Sequence, residues 1–221
     1  MLVCVNASVY RARTFEGSNS AVTEASEAGT VRSTATGTPS RREQILAAAA
    51  ELFAHHGFHG VGIDDIGAAV GVSGPALYRH FRGKDAILGE MLTSISENLL
   101  SGGMTRATEA STPSEALIAL VRFHTDFALD HPALITVQER NLGNLRDEDR
   151  RQVRALQRRY VEVWASTITD AMPSVPLPRA RACAHAVFGL INSTPHTRYL
   201  GRAELTDLLA DLALGALHAA R

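Results

Sequence analysis

From residue 40 onward, apolar side chains recur along the chain at intervals of three and four, the period of one buried face of an α-helix. The first such segment begins at Ser40, which together with Glu43 has the spacing of a helix capping box. Gly57 follows the last apolar position, and glycine adopts the left-handed conformation that ends many helices. The pattern therefore predicts a first helix between Ser40 and Gly57.

Further helical patterns follow directly along the chain. One runs from Ile63 to Val70, and the next runs from a cap at Ser73 to Phe81. A fourth helix begins at Lys84 and is expected to break at Gly102–Gly103, because glycine is a poor helix former. Five more helices are predicted over residues 114–130, 133–142, 147–171, 179–193 and 203–219.

No segment alternates polar and apolar residues as a half-buried strand does. The predicted fold class is therefore all-α, with a small N-terminal helical unit and a larger C-terminal helical bundle. From Thr14 to Ser40 the chain is rich in Ser, Thr, Gly, Ala and Glu and has no such period. This composition buries too little apolar surface to offset the cost of ordering, so residues 1–39 are predicted to form a disordered arm.

Composition and charge narrow the class of protein. The chain has 221 residues, of which 45% are hydrophobic, and a formal net charge of -1, as in ordinary soluble globular proteins. It contains no run of about 18 apolar residues and its start lacks the basic region of a signal peptide, so we expect a cytoplasmic protein without a membrane partner. Because the net charge is almost zero, any face that binds nucleic acid must be local.

The sequence predicts neither a metal nor a cofactor. Cys4 and Cys183 lie far apart and form no zinc-binding spacing, which suits free thiols in a reducing compartment. His55, His56 and His59 lie at a predicted helix end, where cations suit the helix dipole, and no acidic or thiol partner is near them in sequence.

The second and third helices have the proportions of a helix-turn-helix, since a short turn containing Gly71 joins them. The whole block from Ile45 to Leu88 resembles the TetR/AcrR family of transcriptional repressors. The resemblance rests on Leu52-Phe53, Gly57-Phe58, Ile63-Asp64-Asp65-Ile66, Gly71-Val72-Ser73 and Leu77-Tyr78-Arg79-His80-Phe81-Arg82-Gly83-Lys84-Asp85-Ala86-Ile87-Leu88. It implies a DNA-binding domain over residues 40–86 and a ligand-binding and dimerisation domain over residues 87–221.

Candidate DNA contacts cluster around the third helix. Tyr78, His80 and Lys84 carry donors suited to phosphate oxygens, and the resemblance assigns them that role. It also implies base contacts from Ser73, Gly74, Pro75, Ala76 and Arg79, while Arg41 and Arg42 are candidates for the DNA backbone or minor groove. The alternatives are that Tyr78 and His80 only pack the helical unit, that Arg79 is a solvated surface residue, and that Arg41 and Arg42 merely begin a helix.

Two glycines depart from the family pattern. Gly62 stands where many members have a Ser or Thr cap that contacts DNA, and Gly74 offers no side chain where many present a polar one. Direct base readout is therefore expected to be thin, with Arg79 and DNA shape carrying more of the specificity.

A row of arginines marks the predicted helix over residues 147–171. Arg150, Arg154 and Arg158 recur at intervals of four, a like-charge arrangement that disfavours a helix unless an anion compensates it. One interpretation is a solvated face neutralised by the acidic residues 147–149. The other is a phosphate-bearing effector such as an acyl-CoA, which also fits a looser similarity of residues 138–164 to actinobacterial regulators of lipid and sterol catabolism.

The candidate ligand-binding residues are Phe123, Phe127, Arg154, Arg158, Tyr160, Trp164, Phe188 and Asn192. A neutral hydrophobic compound, as sensed by regulators of drug efflux, is the alternative effector. The chain lacks GxSxG, HExxH, Walker A and GxGxxG motifs, so an enzyme is the less favoured class.

The last two predicted helices combine small residues with leucines, which lets helices approach closely. These residues are Ala182, Ala186, Phe188, Gly189, Leu205, Leu208, Leu209, Leu212 and Leu217. The resemblance implies that such a pair meets its twofold mate in a four-helix interface. We therefore predict a homodimer whose two DNA-binding units are about one DNA turn apart, roughly 34 to 36 Å.

Overall fold

The computed structural model of the chain describes residues 39–194 and 199–220. Within these ranges the fold is all-α and has no strand, which confirms the predicted class. The arm predicted for residues 1–39 lies outside the described residues except for Pro39. The helices are α1 (Arg41–His56), α2 (Ile63–Ala69), α3 (Gly74–Leu77), α4 (Lys84–Glu109), α5 (Pro113–Asp130), α6 (Pro132–Asn141), α7 (Asp147–Ala171), α8 (Leu177–Ile191) and α9 (Arg202–His218).

The predicted ends of α1 are confirmed. The Ser40 hydroxyl accepts a hydrogen bond from the backbone N–H of Glu43, and the Glu43 carboxylate accepts one from the Ser40 N–H at 2.7 Å. At the other end Gly57 has a φ of 73°, in the left-handed region that favours glycine. Gly71, with a φ of 70°, likewise follows α2 and turns the chain toward α3.

The predicted break at Gly102–Gly103 is wrong, because α4 continues through both glycines to Glu109. A Cβ atom at Gly102 would come within 2.3 Å of the Phe123 ring, and one at Gly103 within 2.5 Å of the Tyr160 ring. Two aromatic side chains thus pack directly on the helix backbone. Their burial outweighs the helix propensity that glycine lacks, which is worth about 1 kcal/mol per residue.

Helix α4 belongs to both halves of the molecule. It begins at Lys84, next to the turn that follows α3, and then packs along α7 and α5 in the bundle. The boundary expected after Ala86 therefore falls inside a continuous helix. Helix α1 also packs against α6, so the N-terminal unit contacts the bundle at two places.

One hydrophobic core runs through both halves. Phe53 and Leu77 in the N-terminal unit belong to the same cluster of buried residues as Leu92 in α4 and Trp164 in α7. The helices α1 to α3, with the first turn of α4, are called the head below, and α5 to α9 with the rest of α4 are called the bundle. None of the described helices is long and apolar enough to cross a membrane.

Candidate DNA-binding face and ligand cavity

Helix α3 turns one side inward and the other outward. Leu77 and Phe81 are buried, whereas Tyr78 is 56% exposed and lies between them in sequence. The regular helix is short, but the turn continues it, since the N–H groups of His80 and Phe81 both donate to the carbonyl of Leu77. Ser73, Pro75, Tyr78, Arg79 and His80 are exposed, and Gly74 and Ala76 are half-buried.

Ser73 occupies the N-cap position of α3, but its side chain makes no capping hydrogen bond. Its hydroxyl is therefore not committed to the helix. The presence of glycine at position 74 is accounted for by Asp64 of α2. A Cβ atom at position 74 would lie 2.3 Å from Asp64 Oδ1. The carboxylate occupies the space that a side chain at 74 would need. The base contacts expected from Ser73 and Gly74 stay predictions.

Arg41 and Arg42 both have partners within the protein. Arg41 Nη1 donates to the Val70 carbonyl at 2.9 Å, which ties α1 to the end of α2. Arg42 forms a bidentate pair with Glu90 of α4, and its Nη1 donates to the His80 carbonyl at 2.6 Å. Arg42 thus connects α1, the turn after α3 and α4, and both arginines position elements of the head.

Lys84 is also used inside the protein. Its Nζ donates to the carbonyls of Phe58 and Val61, each at 3.0 Å, and lies 4.7 Å from the centre of the Phe58 ring. These bonds hold the loop between α1 and α2 against the start of α4. The phosphate contact expected from Lys84 stays a prediction. The backbone N–H groups in the first turn of α4, which begins at Lys84, are also suitable donors for a phosphate.

A cavity of about 210 Å³ lies inside the bundle, between α4, α5, α6, α7 and the end of α8. Of the candidate ligand-binding residues, Tyr160, Phe188 and Asn192 line it. The lining residues are Ser96, Leu99, His124, Gln138, Gln157, Tyr160, Val161, His185, Phe188 and Asn192. The cavity is therefore bounded by polar side chains on several helices and by an aromatic wall.

The other aromatic candidates lie outside this cavity. Trp164 is fully buried behind the wall, with its ring edge-on to Phe188 at 5.1 Å. Phe123 packs on Gly102 and under the guanidinium of Arg106, at 4.4 Å from the ring centre. Phe127 packs against the ring of His131.

A hydrogen-bonded chain of three side chains crosses one side of the cavity. His124 Nδ1 lies 3.2 Å from the Tyr160 hydroxyl, and His124 Nε2 lies 3.2 Å from Asn192 Oδ1. Burial lowers the pKa of His124 to about 4, against a smaller opposing effect of Asn192, and burial raises the pKa of Tyr160. Both groups are neutral near pH 7, so the Tyr160 O–H donates to Nδ1 and the Nε2–H of His124 donates to Asn192.

The aromatic wall is closely stacked. The rings of Tyr160 and Phe188 are parallel, with their centres 5.5 Å apart, and the His124 ring stacks on Phe188 at 4.8 Å. Because α5, α7 and α8 each contribute one ring, a shift of any of these helices disturbs the stack.

His124 and Gln138 were not among the candidate residues. Both lie on helices that the sequence predicted, over residues 114–130 and 133–142. A signal was present for His124, since it continues the buried stripe of α5 after Leu117, Leu120 and Val121, where an apolar residue is the usual choice.

The arginine row of α7 is only partly neutralised. Arg150 pairs with Asp147, and Arg146 pairs with Asp149 at 2.8 Å. Arg154 and Arg158 are exposed and have no ion-pair partner among the described residues. They do not line the cavity, but each precedes by three residues a side chain that does, Gln157 and Val161 respectively.

No three His, Cys, Asp or Glu side chains come together as a metal site within residues 39–194 and 199–220. His59 instead makes a hydrogen bond of 3.1 Å with Asn144.

Two family models match the chain. Residues 45–91 match the model described as bacterial regulatory proteins of the tetR family, and residues 110–217 match the tetracyclin repressor-like C-terminal domain. The first covers most of the head and the start of α4, and the second covers the part of the bundle from α5 to α9. The chain belongs to the TetR family and is a transcription regulator of that type. This membership places it among regulators rather than enzymes.

Two curated relatives are named as regulators, one of them of fatty acid metabolism. The HTH-type transcriptional activator FasR of Mycolicibacterium smegmatis is 37% identical over 87 residues, which are 39% of this chain and 40% of FasR. The fatty acid metabolism regulator protein of Bacillus subtilis is 25% identical over 172 residues, which are 76% of this chain and 87% of that protein. The match to FasR thus spans less than half of that protein.

Solved structures share the fold. A TetR-family regulator from Bordetella parapertussis aligns with a TM-score of 0.71 and 23% identity, over 78% of this chain and 93% of that one. FadR of Bacillus subtilis, solved with stearoyl-CoA, aligns with a TM-score of 0.62 and 18% identity, over 78% and 97%. AibR, solved with isovaleryl coenzyme A and operator DNA, aligns with a TM-score of 0.67 and 19% identity, over 78% and 97%.

Proposed function

We propose that this regulator binds a palindromic operator as a homodimer, represses there, and is released when a small acyl-CoA occupies the bundle cavity. The observation that carries the proposal is that α7 lines the cavity with Tyr160 and packs at its other end against α4, the helix that leaves the head. Residues 40–86 serve as the DNA-binding domain and residues 87–221 as the ligand-binding and dimerisation domain.

The outward side of α3 and its following turn is the proposed DNA contact. Arg79 offers a fork of donors to a guanine, while Tyr78 and His80 reach phosphate oxygens. The exposure of all three supports these roles. Arg42 and Lys84 contribute by holding the loops around α3, and any phosphate contact that they make adds to that role.

The proposed dimer uses the free side of α8 and α9. Leu208 and Leu212 are 42% and 49% exposed, and the small residues Ala182, Ala186 and Gly189 face solvent on α8. Pairing two such surfaces removes this apolar area from water. Leu212→Glu should therefore halve the molar mass measured by light scattering, and a wild-type mass of one chain would overturn this part.

The effector class rests on charge and on the relatives. One relative is named a fatty acid metabolism regulator protein, and two structures of this fold hold acyl-CoA molecules. Arg154 and Arg158 supply unpaired cations beside the cavity for the phosphates of coenzyme A. Tyr160, Phe188 and Asn192 then border the acyl group. A neutral hydrophobic effector would have no charged group to pair with Arg154 and Arg158.

The proposed release mechanism runs along α7 and α4. Asp149 in the first turn of α7 lies against Gly89 of α4, where a Cβ atom would come within 2.6 Å of its carboxylate. The next residue, Glu90, holds Arg42, which in turn holds the His80 carbonyl. An effector that shifts α7 thus moves the anchor of the turn that presents Tyr78 and Arg79.

Gly89→Ala tests this route. It should reduce the factor by which the effector weakens DNA binding and leave the direct affinity for the effector unchanged. Unchanged release in this variant, measured on the same duplex, would reject the route through Gly89.

The test of the effector uses duplexes selected from a random pool on the purified protein. Isovaleryl-CoA is titrated into the complex, and fluorescence anisotropy of the labelled duplex reports release. The double variant R154A/R158A should need at least about tenfold more ligand, because one hydrogen bond to a charged group is worth roughly 1.5 to 3 kcal/mol and about 1.4 kcal/mol corresponds to a factor of ten. Arg159→Ala is the control, since Arg159 is an exposed arginine of α7 that is turned about 100° around the helix from Arg158. An equal loss in that control would reject the proposed phosphate site.

A further inference from the structure

We propose that Gln138 makes this regulator selective for short acyl groups that carry a hydroxyl. This inference rests on the proposed function, since it specifies which acyl-CoA the cavity takes. It starts from a polar atom that the protein itself leaves without a partner. Gln138 Oε1 is buried, lines the cavity, and has no hydrogen-bond partner among the described residues.

Several other polar groups of the lining have partners within the protein. His124 uses both ring nitrogens, one with Tyr160 and one with Asn192, and the Ser96 hydroxyl donates to the Leu92 carbonyl. Of the buried unpaired side-chain atoms in the described part of the chain, only that of Gln138 lies on the cavity lining. A ligand that pairs with it supplies a hydrogen bond that the protein itself does not provide.

A hydroxyl group is the partner that this amide fits best. The two ends of a glutamine amide are a donor and an acceptor, and they exchange places when the amide turns over. A hydroxyl both donates and accepts, so it pairs with Gln138 in either orientation. An unsubstituted acyl chain makes neither bond and leaves the amide unpaired, which is the situation in which protein sites discriminate most strongly.

The volume limits the length of the acyl group. At about 210 Å³ the cavity is smaller than the roughly 300 to 1,000 Å³ of sites that enclose drug-sized ligands. It equals the liquid volume of about seven waters at roughly 30 Å³ each. A group of a few carbons fits this space, with its hydroxyl at Gln138 and the coenzyme A portion directed toward Arg154 and Arg158.

The experiment compares 3-hydroxybutyryl-CoA with butyryl-CoA, which differ only by the hydroxyl. Binding to the full chain is measured by calorimetry and by the fluorescence of Trp164, the single tryptophan, whose ring lies 5.1 Å from that of Phe188 in the cavity wall. The wild type should bind the hydroxylated ester at least about tenfold more tightly. In Gln138→Met, which keeps the size of the side chain, the ratio should fall toward one.

Gln157→Met is the matched control, because Gln157 also lines the cavity but has no buried unpaired atom. It should keep the wild-type ratio. Gln138→Leu serves as a second variant should Gln138→Met fail to fold by circular dichroism.

The outcomes separate the two proposals. Equal affinity of the wild type for both esters would overturn the role of Gln138 and leave the acyl-CoA proposal standing. Binding of neither ester would overturn the acyl-CoA proposal and with it this choice of ligand. Binding of octanoyl-CoA as tightly as 3-hydroxybutyryl-CoA would overturn the limit on length.

Discussion

The head and the bundle use polar side chains in opposite ways. In the head, Arg42 and Lys84 donate to backbone carbonyls and hold loops and helix ends in place, while Tyr78 and Arg79 face solvent. In the bundle, polar groups such as His124 are enclosed among aromatic rings. Hydrogen bonds within the head thus hold its outer face in a fixed position. The bundle instead has hydrogen-bonding groups in its interior, where a bound molecule would change the packing of the helices.

The largest expected effect tests the polar groups inside the bundle. It is a decrease in the free energy of unfolding at acidic pH that is caused by His124. Burial lowers the pKa of His124 from 6.5 to about 4. Between these pH values the unfolded chain binds a proton at His124 that the folded chain does not bind. The contribution of neutral His124 to stability is fully present above pH 6.5, and the free energy of unfolding falls by about 3 kcal/mol as the pH falls from 6.5 to about 4.

Urea unfolding of the wild type and of His124→Phe at pH 7 and pH 4 measures this effect. The variant has no group that titrates at this position. Between pH 7 and pH 4 its free energy of unfolding should therefore fall by about 3 kcal/mol less than that of the wild type. Identical falls in the two proteins would mean that His124 does not couple folding to pH.

The next effect belongs to the outer face of the head. Arg79→Ala should lower the preference for the selected duplex over a scrambled one by roughly 1 to 3 kcal/mol, while Tyr78→Phe should weaken both duplexes alike. Anisotropy titrations at several salt concentrations separate the two, since loss of a phosphate contact also reduces the salt dependence. If both variants lose sequence preference equally, the division into base and phosphate contacts is wrong.

The smallest effect compares two serines at helix starts within the head. Ser40 caps α1 through its side chain, whereas Ser73 at the start of α3 does not. Ser40→Ala should therefore lower the free energy of unfolding by about 1 kcal/mol, and Ser73→Ala should leave it nearly unchanged. Thermal unfolding of both variants provides the measurement. If Ser73→Ala lowers the free energy of unfolding as much as Ser40→Ala does, then the Ser73 side chain also stabilises its helix and this distinction between the two serines is wrong.

Local patterns were sufficient for most of the helix boundaries. The predicted helix over 147–171 coincides with α7, and those over 179–193 and 203–219 are within two residues of α8 and α9. There are two exceptions: α3 ends at Leu77 rather than at Phe81, and α4 continues where Gly102–Gly103 was expected to end it. Propensity describes a residue and its neighbours in sequence, and it contains no information about Phe123 and Tyr160, which cover these glycines from other helices.

The candidate sites were predictable to different degrees. The outward side of α3 follows from its short sequence and from the family motif, because one turn of helix sets which side chains point away from Leu77 and Phe81. The cavity draws its lining from five helices, and only Tyr160, Phe188 and Asn192 were among the candidates. Phe123, Phe127 and Trp164 could not be told from Tyr160 and Phe188 in the sequence, since all five are aromatic side chains on predicted amphipathic helices.

The sequence by itself therefore determined the all-α class, the capped start of α1, the turn at Gly71 and the arginine row of α7, because these depend on spacing along one segment. Only the tertiary structure decided that α4 is continuous, that Arg42 and Lys84 are held by backbone carbonyls, and that His124 meets both Tyr160 and Asn192. The physical reason is that packing brings together groups that are far apart in the chain. Their burial and pairing energies exist only once the helices have assembled.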